Sequence, residues 1–251
     1  MASRNSKKIL LAFDFDHTII DENSDLYVRK LAPNEHIPEN ISALFSNKGW
    51  TEYMGAIFKY LHSNGTTPSE IEACMHEIPL TDGMRELFDF LSKEHIEVII
   101  ISDSNSQFIK MILENFQIEH SVTEVFTNPA NFDTAGCLQI EYHHFQDWCQ
   151  LSTKNLCKGH ILQQYRKKRE QEGCQFASVF YVGDGSNDFC PTLRLSEQDY
   201  VLPRKGFQLL KKIRNYQPEN NGKDAQVKAK VFDWDTGRDI LKHLREVLEN
   251  I

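Results

Sequence analysis

The chain has 251 residues and a formal net charge of −8, and 40% of its residues are hydrophobic. This length and composition predict a globular protein with a sizeable core, and the negative charge argues against general binding to nucleic acids or anionic membranes, which need a concentrated positive surface. We therefore expect a small-molecule partner.

Six cysteines in a chain of this length do not indicate a disulfide framework. No apolar run approaches the roughly 20 residues of a membrane span, and the first eight residues contain no apolar signal region, so we expect a cytoplasmic protein.

The first predicted strand, from Ile9 to Phe13, consists of five consecutive apolar residues. Such a run is too short for a helix and is typical of a strand buried on both faces of a parallel sheet. Asp14, Asp16 and Thr18 follow it at alternate positions. They would lie at the carboxyl edge of the sheet, where open α/β folds bind their ligands.

Asp14 and Asp16 are so close together that they would repel each other unless they bound protons or a cation. Mg²⁺ suits such oxygen ligands and leaves coordination positions for a substrate phosphate. A carboxylate can also attack phosphorus to form an aspartyl-phosphate, and a second carboxyl two residues further on is placed to protonate a leaving alkoxide. The pattern alone leaves open the alternative that both residues occupy a turn, because aspartate is common in turns.

Residues 21–80 are predicted to form a small helical cap over the sheet edge, which would close to exclude water. The predicted helices are Ser24–Leu31, Thr51–His62 and Pro68–His76. Thr67 and Glu70 have the spacing of a capping box that opens the last of these helices. Four aromatic residues in this segment lie at helical spacing: Trp50, Tyr53, Phe58 and Tyr60. This spacing favours packing within the cap over lining a substrate pocket.

Beyond residue 83 the predicted elements alternate between helix and strand, which is the pattern of a parallel sheet. The predicted strands are Val98–Ile101, Val122–Phe126, Val179–Val182, Asp199–Val201 and Val231–Trp234. The predicted helices are Met84–Lys93, Gln107–Phe116, Gly159–Glu170, Gly206–Tyr216 and one that begins near Arg238. Ser102 follows the first of these strands, and its hydroxyl can donate to a phosphate oxygen.

Residues 138–157 show the weakest pattern, although His143, His144 and Cys149 lie among them. No second cysteine stands three positions after Cys149, so the spacing of a C-x-x-C metal site is missing. We interpret this region as a hairpin or loop with ordinary cysteine and histidine side chains.

The predicted strand Val179–Val182 is followed by Gly-Asp-Gly-Ser-Asn-Asp at residues 183–188. The glycines permit tight turns and close approach of the backbone. Asp184 and Asp188 lie about one helical turn apart, near enough to share an ion.

These motifs resemble those of the haloacid dehalogenase superfamily of phosphohydrolases. DFDHT at residues 14–18 is similar to the first superfamily motif, D-x-D-x-T. The closest resemblance is to the branch of phosphoethanolamine/phosphocholine phosphatases and pyridoxal-phosphate phosphatases. It extends over nearly the whole chain in these stretches: DFDHTIIDENSD (14–25), ISDSN (101–105), FTNP (126–129), KNLCK (154–158), YVGDGSNDFCP (181–191) and PRKG (203–206).

The resemblance implies an α/β fold, a Rossmann-like parallel sheet flanked by helices with a small helical cap inserted after the first strand. Residues 1–20 and 81–251 would form the catalytic core, and residues 21–80 the cap. The implied catalytic residues are Asp14 as nucleophile, Asp16 as acid and base, and Ser102 and Lys158 as ligands of the phosphoryl oxygens. The implied Mg²⁺ ligands are the carboxylates of Asp14 and Asp184 and the backbone carbonyl of Asp16, with support from Thr18, Asn187 and Asp188.

By the same resemblance, Asp25 and Asp103 bind the non-phosphate end of the substrate, where a carboxylate can form a charge-assisted bond with an ammonium or other polar group. The alternative interpretation is that Asp25 caps the first cap helix and Asp103 lies in a turn.

The implied activity is Mg²⁺-dependent hydrolysis of a small phosphorylated metabolite. Pyridoxal 5′-phosphate is the leading substrate, because the sequence is closer to that group of relatives. Phosphoethanolamine, phosphocholine, thiamine phosphate and pyrophosphate are alternatives. A metabolite sensor without turnover is also conceivable, but it would not need both a nucleophile and a proton donor. A phosphotransferase such as a mutase is less favoured.

Overall fold

The computed structural model describes residues 8–45, 49–94, 96–216 and 226–249. Residues 1–7, on which much of the localisation prediction rests, lie outside the described residues. The strands are β1 (Lys8–Phe13), β2 (Ile96–Asn105), β3 (Glu124–Asn128), β4 (Ala130–Phe132), β5 (Leu138–Ile140), β6 (Phe176–Gly183), β7 (Tyr200–Pro203) and β8 (Lys230–Val231). The α-helices are α1 (Ser24–Tyr27), α2 (Glu39–Ser42), α3 (Trp50–Ser63), α4 (Pro68–His76), α5 (Met84–Leu91), α6 (Ser106–Phe116), α7 (Lys158–Gln171), α8 (Phe189–Thr192), α9 (Gln208–Arg214) and α10 (Gly237–Leu248). None of these helices is both long and apolar enough to cross a membrane.

Six strands form one parallel sheet in the order β3-β2-β1-β6-β7-β8, and β4 and β5 form a separate antiparallel hairpin. In the middle of the sheet, Phe13 of β1 pairs with Ile100 of β2 on one side and with Val182 of β6 on the other. The chain first builds the sheet outward from β1 on one side and later adds strands on the other side. The boundary between β1 and β6 is therefore the switch point at which such sheets open a ligand crevice. The predicted α/β fold with a parallel sheet is confirmed.

β1 is a buried strand because its side chains alternate between two apolar layers. Ile9, Leu11 and Phe13 pack in the larger core with residues of α3, α5, α6 and α10. Leu10 and Ala12 face the other way, into the smaller core beneath α7. Burial of each large apolar side chain contributes on the order of 1.5–3 kcal/mol. The end of β1 is thus a fixed platform for the polar residues that follow it.

The helices between β1 and β2 pack onto the same core as the sheet. The ring of Phe58 in α3 lies 5.6 Å from that of Phe108 in α6, in an edge-to-face contact. The helix α4 spans Pro68–His76, as predicted, and the capping box formed by Thr67 and Glu70 is present. One apolar core therefore fixes this helical segment against the carboxyl edge of the sheet.

Several elements have bounds that differ from the prediction, such as the last strand, which spans Lys230–Val231 instead of Val231–Trp234. Two of the differences affect the site. The helix predicted over Ser24–Leu31 is α-helical only to Tyr27 and then tightens into a 3₁₀ turn. The strand predicted to end at Ile101 continues to Asn105, because Asn105 still pairs with Asn128 of β3. The polar end of β2 is therefore held in place by the sheet itself.

Candidate active site

A cavity of about 370 Å³ opens at the carboxyl ends of β1, β2 and β6. Seven of the ten residues predicted for the site line it: Asp14, Asp16, Asp25, Ser102, Asp103, Asp184 and Asn187. The other three are buried and contact those residues or their backbone: Thr18, Lys158 and Asp188. The fold therefore brings all ten predicted residues to one place.

Lys158 lies between two carboxylates, one of which, that of Asp14, lines the cavity. Its Nζ is 2.7 Å from Oδ2 of Asp14 and 2.8 Å from Oδ1 of Asp188, and the lysine is 1% exposed. Burial by itself lowers the pKa of Lys158, but the two adjacent carboxylates outweigh burial and raise it. The lysine therefore stays protonated, and its two ion pairs fix the position of its ammonium group.

Asp188 accepts hydrogen bonds from four donors. Its Oδ1 accepts from Lys158 and, at 2.6 Å, from the hydroxyl of Tyr181, while its Oδ2 accepts from the backbone N–H groups of Asp184 at 3.1 Å and Gly185 at 2.8 Å. Burial raises the pKa of Asp188, but the charge of Lys158 and these bonds lower it below its ordinary value. Four donors occupy about all the lone-pair positions of a carboxylate. Asp188 therefore anchors the lysine and the turn after β6, and has no oxygen left over for a metal.

One feature of this turn agrees with the expectation from the sequence, and another could not be predicted. A Cβ at Gly183 would lie 2.6 Å from Cγ of Asp188, so only glycine allows β6 to end this close to the carboxylate. Tyr181 belongs to a stretch that the sequence indicates only as a buried apolar strand, yet its hydroxyl reaches Asp188.

The carboxylates of Asp14 and Asp184 retain oxygen positions for a ligand. Asp14 accepts one hydrogen bond on Oδ1 from the next backbone N–H, at 2.7 Å, and Asp184 accepts one on Oδ1 from Thr18, at 3.4 Å. Burial, followed by the charge of Asp188, raises the pKa of Asp184 to about 7 and holds the pKa of Asp14 well above its ordinary value. A divalent cation would compensate this buried negative charge, and carboxylates are the ligands that hard cations prefer.

Asp16 lies beside Asp14 at the cavity wall and is held by the first turn of α1. Its Oδ1 accepts from the backbone N–H of Ser24 at 3.0 Å. Burial raises the pKa of Asp16 to about 6, although the hydrogen bonds from Ser24 act in the opposite direction. A carboxyl that titrates near neutral pH can both donate and accept a proton.

Ser102 is 1% exposed, and its Oγ accepts a hydrogen bond from the backbone N–H of Ser104 at 3.2 Å. This bond leaves the hydroxyl proton available for donation to a ligand in the cavity. The hydroxyl of Ser104 in turn bonds that of Ser24 at 2.8 Å, which ties α1 to the end of β2.

Asp103 lies in β2, not in a turn, and its carboxylate is fixed by neutral donors. Its Oδ1 accepts from Thr153 at 3.2 Å and Asn155 at 3.1 Å, and its Oδ2 accepts from Asn187 at 2.5 Å. The roles of Thr153 and Asn155 could not be predicted, because they lie in the segment with the weakest sequence pattern.

Asp25 points into the cavity from α1. The N-cap of α1 is Asn23, so the alternative that Asp25 caps this helix is wrong. Its Oδ2 accepts from Nε1 of Trp50 at 2.7 Å, whereas its buried Oδ1 has no hydrogen-bond partner among the described residues. Burial, followed by the charge of Asp16, raises the pKa of Asp25 to about 8. Trp50 thus lines the cavity, while Tyr53 is a core residue, as its spacing predicted.

Comparison with known proteins identifies the family. The model of the family described as Putative Phosphatase matches residues 9–248. The pyridoxal phosphate phosphatase PHOSPHO2 of Homo sapiens is 39% identical over 249 residues, which are 97% of this chain and 100% of that protein. The phosphoethanolamine/phosphocholine phosphatase of Homo sapiens is 35% identical over 252 residues, which are 100% of this chain and 93% of that protein. The chain belongs to this phosphatase family.

The phosphatase also resembles solved structures in its fold. A substrate-bound phosphoserine phosphatase superposes with a TM-score of 0.61 at 20% identity, covering 95% of this chain and 99% of that one. The prediction of a haloacid dehalogenase superfamily phosphatase is confirmed. The enzymatic alternative is thereby favoured over a sensor without turnover.

In this phosphatase, Arg204 of the PRKG motif has a structural role that the sequence does not predict. Its guanidinium donates to the backbone carbonyl of His17 at 2.6 Å and to Oδ1 of Asp21 at 2.5 Å. His17 has a φ of 52°, in the left-handed region that is uncommon for residues other than glycine. Strained backbone of this kind persists where neighbouring groups hold it. Arg204 therefore fixes the turn that presents Asp14 and Asp16.

Proposed function

We propose that this phosphatase hydrolyses a small phosphomonoester through an aspartyl-phosphate on Asp14 with one Mg²⁺, and that pyridoxal 5′-phosphate is its main substrate. The observation that carries the proposal is the setting of Asp14 at the cavity floor. Its Oδ2 lies 2.7 Å from the ammonium of Lys158, and a carboxylate oxygen of Asp184 lies within 4.8 Å of one of its own. A nucleophile, a cation and a second acidic group therefore meet at one point.

The donor set fits Mg²⁺. Oδ2 of Asp184 accepts no hydrogen bond from the described residues, each oxygen of Asp14 has a single donor and so keeps a lone-pair position, and the backbone carbonyl of Asp16 would be the third protein ligand. Asp188 would not coordinate, since its oxygens already accept four hydrogen bonds. When bound, the ion would neutralise charge on the phosphoryl oxygens and help to position the phosphate.

In the first step, a carboxylate oxygen of Asp14 attacks phosphorus, and the bond from phosphorus to the substrate alkoxide breaks. The carboxyl of Asp16 gives its proton to that alkoxide, which leaves as an alcohol. The ammonium of Lys158 and the hydroxyl of Ser102 stabilise the phosphoryl oxygens during transfer. The fixed position of Lys158 between two carboxylates means that it needs little reorganisation for this role.

In the second step, the carboxylate of Asp16 takes a proton from water while the water oxygen attacks the same phosphorus. The bond between phosphorus and Asp14 breaks, and inorganic phosphate and the free carboxylate are regenerated. Residues 21–80 would act as the cap that limits access of bulk water to this site. The bond from Ser24 to Asp16 joins this segment to a reacting group, and the bond from Trp50 holds the carboxyl of Asp25, also in this segment, at the cavity.

The outer part of the cavity suits a flat, nitrogen-containing ring. It is lined by three aromatic residues and two carboxylates: Phe45, Trp50, Tyr142, Asp25 and Asp103. Aromatic walls can stack on a pyridine ring, and carboxylates can bind its nitrogen or polar substituents. The same groups could also hold the ammonium of phosphoethanolamine or phosphocholine, which makes these compounds the second candidates.

A substrate panel tests this proposal. We expect kcat/KM for pyridoxal 5′-phosphate to exceed that for phosphoethanolamine, phosphocholine, thiamine phosphate and pyrophosphate by about tenfold or more, a difference of roughly 1.4 kcal/mol in transition-state binding. Removal of Mg²⁺ by a chelator should abolish phosphate release, and its return should restore it. A higher kcat/KM for another compound would contradict the assignment of pyridoxal 5′-phosphate as the main substrate. Full turnover after chelation would contradict the requirement for Mg²⁺.

Substitution of Asp25 should show two separate effects of this residue: it helps to bind the substrate, and its buried carboxyl destabilises the folded protein. Above about pH 8, where the Asp25 carboxyl is ionised, we expect Asp25→Asn to lower kcat/KM for the preferred substrate by about 10- to 100-fold, mainly through KM, because a charge-assisted bond is lost. The folded-state pKa is about 8, against roughly 3.9 when unfolded. The folded state therefore binds the additional proton between these values, and this group makes stability fall as pH rises from about 4 to 8.

The Asp25→Asn variant should consequently have a higher melting temperature than the wild type in the absence of metal and substrate, and the difference should grow from pH 5 to pH 8. Thermal unfolding at several pH values measures this. Asp89→Asn, which changes an exposed carboxylate on α5, is the matched control and should change neither kcat/KM nor the melting temperature. An Asp25→Asn variant that is less stable at pH 8 than at pH 5, relative to the wild type, would contradict the argument.

A further inference from the structure

Three cysteines, two from the segment that leads into α7 and one from α8, meet next to the active site. Sγ of Cys190 lies 3.4 Å from Sγ of Cys149 and 3.8 Å from Sγ of Cys157, and all three sulfurs are within 4.8 Å of one another. Cys157 and Cys190 are buried, Cys149 is half-buried, and all three are free thiols. The spacing around Cys149 favours an ordinary side chain and does not indicate this cluster, because the residue that joins Cys149 and Cys157 lies more than thirty positions further along the chain, in α8.

The spacing of the sulfurs is that of a metal site. Zinc binds thiolate sulfur at about 2.3 Å in a tetrahedral arrangement, which separates two sulfur ligands by roughly 3.8 Å. The separation between Cys157 and Cys190 equals this value, and that between Cys149 and Cys190 is slightly shorter. A disulfide would bring two sulfurs to about 2.05 Å. Two sides of the triangle of thiols are therefore close to the edge of a zinc tetrahedron, the third is no longer than 4.8 Å, and no two sulfurs are bonded to each other.

The backbone around the cluster is shaped to let the sulfurs converge. Cys157 is the N-cap of α7, and a Cβ at Gly159 in the first turn of that helix would lie 2.6 Å from Sγ of Cys190. Any side chain at position 159 would thus displace this sulfur. His144 fixes the other side of Cys157, since its Nε2 accepts the backbone N–H of Cys157 at 3.1 Å.

We propose that Cys149, Cys157 and Cys190 bind one Zn²⁺, with water in the fourth position on the side of the half-exposed Cys149. Thiolates select zinc or copper(I) over magnesium, so this site would not compete with the acidic site for its metal. Zinc binding would release the three thiol protons to solvent and form three Zn–S bonds. Among the described residues, no further histidine, cysteine or carboxylate completes the group.

The site would connect three segments that carry active-site residues. Cys149 precedes Thr153 and Asn155, which hold Asp103. Cys157 is adjacent to Lys158, and Cys190 follows the anchor carboxylate of Asp188 by two residues. Zinc would therefore stiffen the loops around the catalytic residues without touching the substrate.

A titration with Co²⁺, which replaces zinc and reports its ligands by absorption, tests the proposal. The reduced, metal-free protein is titrated in excess Mg²⁺, so that the acidic site is occupied. We expect one equivalent of Co²⁺ to produce a thiolate-to-metal charge-transfer band and the visible bands of tetrahedral cobalt, and Zn²⁺ to displace it. The absence of a charge-transfer band in the wild-type protein would overturn the proposal, whatever its activity.

Two variants identify the ligands. Cys149→Ser removes a half-buried ligand and should weaken zinc affinity by at least about 100-fold, since even outer partners of a metal site change affinity 10- to 100-fold. Cys174→Ser changes a half-buried cysteine outside the cluster and should bind zinc like the wild type. Equal zinc affinity of the Cys149→Ser variant and the wild type would also overturn the proposal.

Discussion

Replacement of Asp14 by asparagine is expected to lower kcat by at least about 10⁴-fold, the scale seen when a catalytic nucleophile is removed. Asparagine has the same shape and can still accept the backbone hydrogen bond that Asp14 accepts on Oδ1. It cannot attack phosphorus. Because the buried negative charge is also removed, the fold should persist, and phosphate release with a continuous assay is the measurement.

Substrate binding distinguishes this outcome from a loss of structure. The Asp14→Asn variant should bind pyridoxal 5′-phosphate with an affinity within about tenfold of the KM of the wild type, and its thermal unfolding should stay cooperative. Asp89→Asn is again the control and should keep full activity. If Asp14→Asn retained more than a few per cent of the wild-type kcat, Asp14 would not be the nucleophile.

Replacement of Lys158 by methionine is expected to cause the largest loss of stability of any variant considered, about 3–5 kcal/mol, because it leaves buried carboxylates without their cation. For a chain of this size, that loss lowers the melting temperature by roughly 10 °C. The rate should also fall by about 10²–10³-fold, as when one donor to a developing oxyanion is removed. Thermal unfolding and kcat measure the two effects.

The loss of stability in the Lys158→Met variant should grow with pH. The raised pKa of Lys158 keeps it charged throughout pH 5–8, so its own contribution in the wild type is constant there. Without the lysine, the pKa of Asp14 would rise further, and burial would raise the pKa of Asp188 above its ordinary value. Their folded forms would then bind more protons than the unfolded chain, and stability would fall as pH rises from about 5 to 8.

A second substitution measures how much of this loss of stability comes from the unpaired buried carboxylates. Lys158→Met combined with Asp14→Asn should recover part of the stability but no activity, because one buried charge is gone together with the nucleophile. Lys110→Met, which changes an exposed lysine paired with Glu114 on α6, is the control and should have little effect. A melting temperature of Lys158→Met equal to that of Lys110→Met would contradict the role of Lys158 as a buried counter-ion.

The features of the fold and site that could be predicted from sequence are those that the residues of one short segment indicate by themselves. The apolar run Ile9–Phe13 indicates a doubly buried strand, and Asp14 and Asp16 directly after it indicate its carboxyl end. The turn at 183–188 carries a similar local signal. Since parallel strands place these ends at one edge, their convergence follows from the fold class alone.

The parts that could not be predicted depend on contacts between distant segments. Tyr181 and Asn155 each bond a predicted residue, and Arg204 bonds the backbone of His17 in the turn after β1, but nothing near these three in the sequence indicates a partner. The helical spacing of Trp50 favours packing within the cap, whereas at the first residue of α3 its indole donates to Asp25. The thiol of Cys190 is a further case, because its neighbours in space come from the loop before α7.

The central claim, that Asp14 becomes phosphorylated, is tested most directly by trapping the intermediate. Borohydride reduces an acyl phosphate to an alcohol, so quenching during turnover with Mg²⁺ and pyridoxal 5′-phosphate should convert Asp14 to homoserine, which peptide mass spectrometry detects. We predict this conversion in the wild type only when substrate is present, and none at position 14 in the Asp14→Asn variant. Turnover with an unmodified Asp14, or conversion of another carboxylate such as Asp16, would contradict the proposed mechanism.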